Sequence, residues 1–368
     1  MTSPTNLFSP VKLSNQNLAN RIVMAPMTRL RADGTIPTET MATYYAQRAG
    51  AGLIVTECTM VSPSSHGYMC CPGIYNKEQV EGWKLVSKAV HDKGGKIFLQ
   101  LWHCGRVSHP SLLDGELPVA PSAIAASGTL HTPEGKVELD TPRALSGAEI
   151  AEIVEQFRIG AKNAKDAGFD GIELHAAFGY LIDQFLQDIS NQRTDEYGGS
   201  IANRARFLLE VVEAVTQVWG GNCVGVKLSP SNTFYGMGDS DAKATFSYAI
   251  DALNKFNLAY IHLMEPNERD LQNKDVINPV LPVFRPVYQG TIITNGGYDK
   301  DSGNEVLAKE QAELVSFGQL YIANPDLVQR FKVDAELNEP NSKTIYGSGD
   351  DENAKVGYTD YPFLESKR

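Results

Sequence analysis

Short apolar runs recur along the chain, and most gaps between them carry apolar residues spaced like one face of a helix. Eight of the runs have the length and β-branched content of strands, and most are apolar on both faces instead of alternating. Strands of this kind are typical of a parallel sheet that is covered on both sides. The predicted strands are RIVMAPM (21–27), GLIVTEC (52–58), KIFLQLWH (96–103), GIELHAA (171–177), CVGVKLSP (223–230), LAYIHLME (258–265), GTIITNGG (290–297) and LVSFGQ (314–319).

The clearest helix is predicted over residues 147–167. Ser146 and Glu149 have the spacing of a capping box at its start, and Gly168 follows its end, where glycine commonly terminates a helix. One face of the predicted helix is apolar and consists of Ile150, Ile153, Phe157, Ala161 and Ala164.

Eight strands that alternate with helices, without a linker or a change of composition, predict a single (β/α)8 TIM-barrel domain spanning residues 1–368. A doubly wound open sheet is the alternative, but no strand is followed by the GxGxxG pattern of a dinucleotide site. Two segments are too long for simple connections. Residues 104–146 predict an excursion over the barrel mouth after strand three, with a hairpin of its own, and residues 346–363 predict an extended, aromatic-bearing C-terminal tail.

Composition disfavours several kinds of partner. The 368-residue chain has a formal charge of −11 and no basic cluster, which argues against nucleic acid and anionic membrane surfaces. No apolar run approaches the roughly 18 residues of a membrane helix, and the N-terminus lacks a secretory pattern. The five cysteines form no CxxC pair and are expected to be reduced. We therefore expect a cytoplasmic globular protein with a small-molecule partner.

The active site of such a barrel lies at the carboxyl ends of its strands. The predicted strand ends carry hydrogen-bonding groups and aromatics without a facing pair of carboxylates, and the seven histidines include no HxH or HExxH spacing. Glycoside hydrolysis and metal-dependent hydrolysis are therefore disfavoured. Lys227 leaves open a non-redox lyase or isomerase that forms a Schiff base.

Glycines follow strands seven and eight, where barrels frequently bind phosphate. The backbone N–H groups predicted to line an anion site belong to Gly296, Gly297, Gly318 and Gln319. A short helix near 325–331 is expected to direct its amino end toward the same site. Tight turns also require glycine, so both interpretations remain open at this point.

Several longer motifs make the chain similar to a known family. From about residue 6 to 364 it resembles the Old Yellow Enzyme family of FMN-dependent ene-reductases, especially bacterial members that act on unsaturated carbonyls and nitro compounds. GIELHAAFGYL (171–181) and SNQRTDEYGGS (190–200) carry the most specific similarity. The other matching stretches are NRIVMAPMTRLRA, AGLIVTECTMVS, FLQLWHCGRVSHP, VAPSAIA, FGQLYIANPDL and GYTDYP.

The resemblance implies an FMN across the strand ends that is reduced by NAD(P)H and reoxidised by an electron-poor alkene. It implies that Pro26 and Thr28 border the reactive edge of the flavin. Gln100 would bind the pyrimidine ring and Lys227 would lie near N1 and the C2 carbonyl, with the phosphate in the glycine-rich loops. The full set of expected flavin contacts is Ala25, Pro26, Met27, Thr28, Cys58, Gln100, His175, Lys227, Asn295, Gly296, Gly297, Phe317, Gly318 and Gln319.

The same resemblance implies two catalytic residues. His175 would donate a hydrogen bond to the substrate carbonyl, and Tyr180 would protonate the α-carbon. A phenol suits this step because it holds its proton near neutral pH until an enolate takes it. The other residues expected in the substrate pocket are Phe178, Tyr68, Trp102 and Tyr346.

Three positions depart from the family pattern. Phe178 stands where the family has His or Asn, and losing one donor to a developing oxyanion costs on the order of 3 kcal/mol. Lys227 and Gln319 stand where arginine is common, so we expect an altered flavin contact and looser FMN binding. The leading hypothesis is a flavin oxidoreductase, monomeric or homodimeric. A flavin-binding barrel with ene-reductase activity weakened by Phe178 and the Lys227 lyase are the alternatives.

Overall fold

The structure, a computed structural model, describes residues 5–349 and 353–365. Eight parallel strands form a closed barrel in which each strand pairs with the next along the chain and the last closes onto the first. All eight predicted strands are present, and closure excludes the open sheet. The barrel strands are β1 (Ile22–Met24), β2 (Leu53–Met60), β3 (Ile97–Trp102), β4 (Gly171–Ala176), β5 (Val224–Leu228), β6 (Tyr260–Met264), β7 (Ile292–Asn295) and β8 (Leu314–Phe317).

Helices cover the outer face of the barrel. They are α1 (Glu39–Gln47), α2 (Lys77–His91), α3 (Gly147–Asp166), α4 (Leu181–Leu186), α5 (Ile201–Trp219), α6 (Ala242–Leu253), α7 (Leu281–Phe284), α8 (Lys300–Ala308), α9 (Gln319–Ala323) and α10 (Leu327–Lys332). The capping box predicted for α3 is formed by Ser146 and Glu149, and its predicted apolar face is buried. Among the helices of the described residues, none is both long enough and apolar enough to span a bilayer.

A small antiparallel hairpin closes the amino end of the barrel. Its strands, Val11–Leu13 and Gln16–Leu18, place Leu13 and Leu18 in an apolar cluster with residues from the beginnings of the barrel strands, such as Val23. Because this end is filled by side chains, the opposite end, where the strands terminate, is the one that remains accessible to a ligand.

The long excursion after β3 has the expected hairpin. Thr129–Thr132 pairs with Gly135–Glu138 in antiparallel register, and Val119–Ala120 pairs with Arg143–Ala144. Leu130 is buried in a second apolar cluster at the barrel mouth. The excursion is therefore an ordered layer over the mouth, as its length predicts.

The C-terminal tail is not extended as predicted. Residues 353–359 form consecutive turns, while 350–352 lie outside the described residues. Arg29 donates hydrogen bonds to the carbonyl oxygens of Ile345 and Gly357, and Arg31 donates to those of Thr344 and Ala354. These long-range bonds satisfy backbone carbonyls that an isolated tail would leave to water, and they fold the tail back onto the barrel.

Candidate active site

A cavity of about 660 Å³ lies at the carboxyl ends of the strands. This volume is typical of a site for a small molecule or cofactor. The predicted site residues that line it are Pro26, Thr28, Cys58, Tyr68, Gln100, His175, Phe178, Tyr180, Lys227 and Tyr346. Residues from the first five strands or the loops that follow them and from the C-terminal segment thus converge as the barrel rule requires.

The turn between β4 and α4 sets the position of the two predicted catalytic side chains. Phe178 and Gly179 both adopt positive φ, at 56° and 77°, which reverses the chain within a few residues. Their N–H groups donate to Ser229 Oγ at 2.8 Å and to Asp183 Oδ2 at 2.9 Å, respectively. A β-carbon at position 179 would approach Met237 Cγ to 2.8 Å, so this turn requires glycine.

His175 and Tyr180 lie side by side as a result of this turn. Their ring centroids are 5.0 Å apart and the ring planes are nearly perpendicular, at 84°. His175 is buried, and its Nδ1 has no hydrogen-bond partner among the described residues. Burial, together with the positive charge of Lys227, lowers the pKa of His175 to about 3. The imidazole is therefore neutral at physiological pH and carries a single N–H donor.

Tyr180 belongs to a chain of three phenols. Its hydroxyl is 3.1 Å from that of Tyr68, which in turn forms a short hydrogen bond with the hydroxyl of Tyr235. Burial, with Tyr68 and Tyr235 nearby, raises the pKa of Tyr180 well above its ordinary value. The phenol thus keeps its proton at neutral pH. Tyr235 was absent from the predicted site, although its position in the loop after β5 was a signal.

The predicted wall aromatics occupy three different positions. Tyr68 lines the cavity, whereas Trp102 is fully buried behind it, 5.7 Å from the Tyr68 ring and 5.0 Å from the Tyr180 ring. Trp102 therefore supports the wall and does not form it. Tyr346 is 65% exposed and lies at the rim. Phe178 faces the edge of His175, with ring centroids 6.0 Å apart.

The polar floor of the cavity is formed by Lys227, Gln100 and Cys58. The amide nitrogen of Gln100 donates to Glu173 at 2.7 Å, and its oxygen accepts from the Cys58 thiol at 3.1 Å. The second amide hydrogen and the second lone pair of Gln100 remain for a ligand. The Lys227 ammonium lies 5.4 Å from the centre of the Phe178 ring.

The glycine-rich loops lie together because β7 and β8 are neighbours, with Asn295 opposite Ser316. Adding a β-carbon to Gly297 meets no atom within 4 Å, and at Gly318 the nearest is Met27 Sδ at 3.5 Å. The expected contacts Ala25 and Phe317 are joined by a backbone hydrogen bond of 3.1 Å at this edge. A β-carbon at Gly296 would approach Glu265 Cβ to 2.9 Å.

The helix predicted to face this site near 325–331 is α10, and its role at a phosphate stays a prediction. α9 begins at Gln319, directly after Gly318, whereas α10 begins after Asp326, whose side chain makes no hydrogen bond to the first N–H groups of the helix. The carboxylate of Asp326 accepts hydrogen bonds from Arg330 Nε and from the N–H of Leu364. α9 also begins beside the glycine-rich loop, so its N-terminus is a second candidate to face a phosphate.

These residues fit a flavin mononucleotide. No carbonyl of the described residues accepts a hydrogen bond from the N–H of Gly297, Gly318 or Gln319, so these donors are available to a phosphate. Within the same residues, no carboxylate lies within ion-pairing distance of Lys227. An unpartnered cation in the cavity floor complements the negative charge that a reduced flavin carries.

Further residues line the cavity that sequence reasoning did not find. The excursion hairpin contributes three residues, and the others come from loops that follow β1, β2 and β5 and from the C-terminal segment. They are Leu30, Met69, Thr129, Leu130, His131, Phe234, Tyr235 and Gly347. None lies at a strand end, so the only signal for them was membership of a long loop at the mouth.

A closed barrel with a buried cation, glycine-rich loops and a neutral imidazole at its mouth has the groups that a flavin-binding oxidoreductase requires. The chain matches the model of the NADH:flavin oxidoreductase / NADH oxidase family over residues 6–338. It belongs to that family and is an FMN-dependent oxidoreductase that uses a reduced nicotinamide.

Similar proteins agree along almost the whole chain. 12-Oxophytodienoate reductase 1 of Oryza sativa subsp. japonica is 44% identical over 362 residues, which cover 98% of this chain and 93% of the relative. 12-Oxophytodienoate reductase 2 of Arabidopsis thaliana is 42% identical over 367 residues, covering 98% and 96%. The structure of morphinone reductase in complex with tetrahydroNAD has a TM-score of 0.92 at 45% identity, covering 98% of both chains.

An Old Yellow Enzyme homologue from Zymomonas mobilis has a TM-score of 0.93 at 40% identity, covering 98% of this chain and all of the other. The resemblance to the Old Yellow Enzyme family is therefore confirmed, as is the flavin oxidoreductase class. The alternative of a non-redox lyase is wrong, because the chain belongs to a family of flavin oxidoreductases.

Proposed function

We propose that the protein reduces the activated C=C bond of α,β-unsaturated carbonyl compounds with NAD(P)H as the reductant. The names of its relatives support this, since 12-oxophytodienoate reductase and morphinone reductase recur among them. The observation that carries the proposal is the pairing of His175 with Tyr180 at the cavity wall, with ring centroids 5.0 Å apart.

Lys227, Gln100 and the loops at Gly297 and Gly318 would hold FMN, which when bound supplies hydride to the β-carbon of the alkene. The chain itself must then bind the carbonyl, orient the alkene and deliver a proton. Lys227 is suited to the flavin because its ammonium is buried in the cavity floor and faces no carboxylate at ion-pairing distance among the described residues.

His175 binds the substrate carbonyl. As a neutral imidazole with one N–H, it donates a hydrogen bond to the oxygen and draws electron density from the double bond. Its position in a buried, low-dielectric wall strengthens this bond relative to one in water. Phe178 supplies no second donor, so His175 acts on the oxygen without a partner from position 178.

Tyr180 delivers the proton. Its raised pKa holds the hydrogen on the phenol until negative charge develops on the α-carbon. The phenolate left behind would be costly in this buried wall, and the hydroxyl of Tyr68 at 3.1 Å is placed to donate a hydrogen bond to it. Tyr235 extends the same chain of hydroxyls.

The cavity is suited to apolar or aromatic enones. Its aromatic lining includes Tyr68, Phe178 and Phe234, together with Leu130 from the excursion. Such a surface binds apolar substrate bodies while His175 fixes the carbonyl end. A cytoplasmic location is part of the proposal, since all five cysteines are free thiols, as a reducing compartment maintains them.

Two variants test the assignment of roles. Tyr180→Phe is expected to leave reduction of FMN by NADPH unchanged and to slow reoxidation by 2-cyclohexenone by roughly 10²–10⁴-fold. His175→Leu is expected to slow the same reoxidation by roughly a hundredfold or more. Anaerobic stopped-flow absorbance of the flavin measures both half-reactions. If both variants are reoxidised by the enone at the wild-type rate, the proposed roles are wrong.

The same measurement addresses the weakened enzyme that Phe178 suggests. If wild-type protein is reduced by NADPH but the enone reoxidises it no faster than oxygen does, the protein binds flavin without acting efficiently on alkenes. If several different enones all reoxidise the flavin no faster than oxygen does, the proposed reaction is contradicted, whereas the binding of FMN is not.

A further inference from the structure

Lys227 occupies an unusual electrostatic position inside the barrel. It lies on β5 with a histidine directly opposite on each neighbouring strand: His175 on β4 and His262 on β6. Its side chain is 3% exposed. A buried amine between two imidazoles loses its hydration and gains no negative charge from its neighbours in register.

Glu173 lies two residues before His175 on β4, so both side chains face the same side of the strand, and it binds His262, the residue opposite Lys227 on β6. Glu173 and Cys58 on β2 are the acidic groups whose charge acts on Lys227. Burial raises the pKa of the Cys58 thiol to about 12, so it is uncharged. Gln100 on β3 and the ring of Phe178 above the ammonium are neutral, and His175 is neutral as well. Glu173 is therefore the anion that balances Lys227.

Glu173 is fully buried, yet its carboxylate is firmly held. It accepts hydrogen bonds from Gln100 Nε2 at 2.7 Å and from His262 Nδ1 at 2.9 Å. His262 Nε2 lies 2.7 Å from the hydroxyl of Ser316 on β8, which fixes the imidazole from the other side. Burial raises the pKa of Glu173, but His262 and Lys227 more than offset this and lower it overall. The carboxylate is thus ionised.

A lysine at position 227 needs a nearby anion to keep its charge, whereas an arginine there would not. A guanidinium keeps its charge in nearly any protein environment, whereas a buried amine readily loses its proton. Burial lowers the pKa of Lys227, and the charge of Glu173 opposes that change. Without Glu173 the barrel would contain an amine with no stabilising anion.

We propose that Glu173 is a positioning residue for the flavin site: its buried carboxylate keeps Lys227 in the ammonium form, so that the cavity presents a constant cation to the cofactor. The inference rests on the proposed placement of FMN beside Lys227. It assigns a function to the buried carboxylate of Glu173, and it explains how lysine replaces a permanently charged side chain at position 227.

The first test follows Lys227 directly in the FMN-loaded protein. NMR of protein labelled with ¹³C at the lysine ε-carbon, with Lys227→Arg identifying the resonance, reports its protonation against pH. The wild-type lysine is expected to remain an ammonium at about pH 7, and Glu173→Gln is expected to lower its titration midpoint by about one to three units. An unchanged midpoint in Glu173→Gln overturns the proposal.

The second test measures the midpoint potential of FMN against pH. In Glu173→Gln, the midpoint potential is expected to fall more steeply than in the wild type over the pH range in which Lys227 loses its proton. Glu173→Gln combined with Lys227→Arg is expected to lack that additional fall, since the guanidinium does not titrate. An additional fall that persists in the double variant contradicts the proposal.

The two readouts separate this inference from the proposed function. A lysine that titrates lower in Glu173→Gln without any change in potential supports the coupling but contradicts the placement of FMN beside Lys227. Glu173→Asp retains the charge and is expected to restore an ammonium. If Glu173→Gln does not fold, the wild type still decides, because a neutral Lys227 amine at about pH 7 overturns the proposal.

Discussion

Replacing Phe178 with asparagine tests how the active-site turn is built. Phe178 has φ of +56°, a left-handed conformation that asparagine adopts far more readily than phenylalanine. Its N–H bond to Ser229 does not depend on the side chain and should survive the change. The substitution therefore removes a ring beside His175 and adds an amide donor without altering the backbone.

The magnitudes can be estimated separately for folding and for rate. Relief of the left-handed strain contributes about 1 kcal/mol, and loss of the contact between the ring and the buried Lys227 ammonium costs about 2 kcal/mol. The free energy of unfolding should therefore fall by about 1 kcal/mol. A second donor to the substrate oxygen is worth about 3 kcal/mol in the transition state, or roughly a hundredfold in rate.

The assay is anaerobic stopped-flow reoxidation of the reduced enzyme by a small enone and by a bulky aromatic enone. Phe178→Asn is expected to accelerate the small enone by roughly a hundredfold and to lose selectivity for the bulky one. Phe178→Ala is the matched control, because it opens the same space without a donor. If alanine and asparagine give equal rates, the missing donor does not limit the reaction and the interpretation of position 178 is refuted.

Three other positions give measurable outcomes. Gln319→Arg, which adds a cation at the start of α9, should tighten FMN binding by about 1.5 kcal/mol in a fluorescence titration. Gln319→Met is the uncharged control, and equal FMN affinities of the two variants would contradict a role for charge at position 319. Burial raises the pKa of Asp183 to about 7, so its protonated form stabilises the fold at acid pH, and that contribution disappears between about pH 4 and 7. Urea unfolding should show the wild type losing stability relative to Asp183→Asn over that range, and a constant difference would refute it. Tyr358→Ala deletes a fully buried ring stacked on Tyr44 and should lower the free energy of unfolding in urea by about 3–5 kcal/mol. The control Phe363→Ala, at an exposed position, should lower it by under about 0.5 kcal/mol. Similar losses in the two variants would be inconsistent with the packing of the tail.

The barrel was predictable because its strands carry a strong signal. A strand such as β5, apolar on both faces and interrupted by one lysine, has few alternatives to a covered parallel sheet. The convergence of His175, Lys227 and Gln100 then follows from the rule that barrel strands end at one face. The start of α3 was also predictable, because the capping hydrogen bonds between Ser146 and Glu149 form within one helical turn.

Features that depend on distant contacts were not predictable. The C-terminal tail forms turns because Arg29 and Arg31 bind carbonyl oxygens more than 300 positions away in the chain. Tyr235 reaches Tyr68 only after two loops fold over the mouth.

Reoxidation of the reduced enzyme tests the central claim most directly. The FMN-loaded protein is reduced anaerobically with one equivalent of NADPH and mixed with 2-cyclohexenone while flavin absorbance is followed and the product is analysed. We predict that the oxidised flavin spectrum returns without oxygen and that one equivalent of cyclohexanone forms. A flavin that stays reduced until oxygen is admitted, with the enone recovered unchanged, would contradict the assignment of this cavity to alkene reduction.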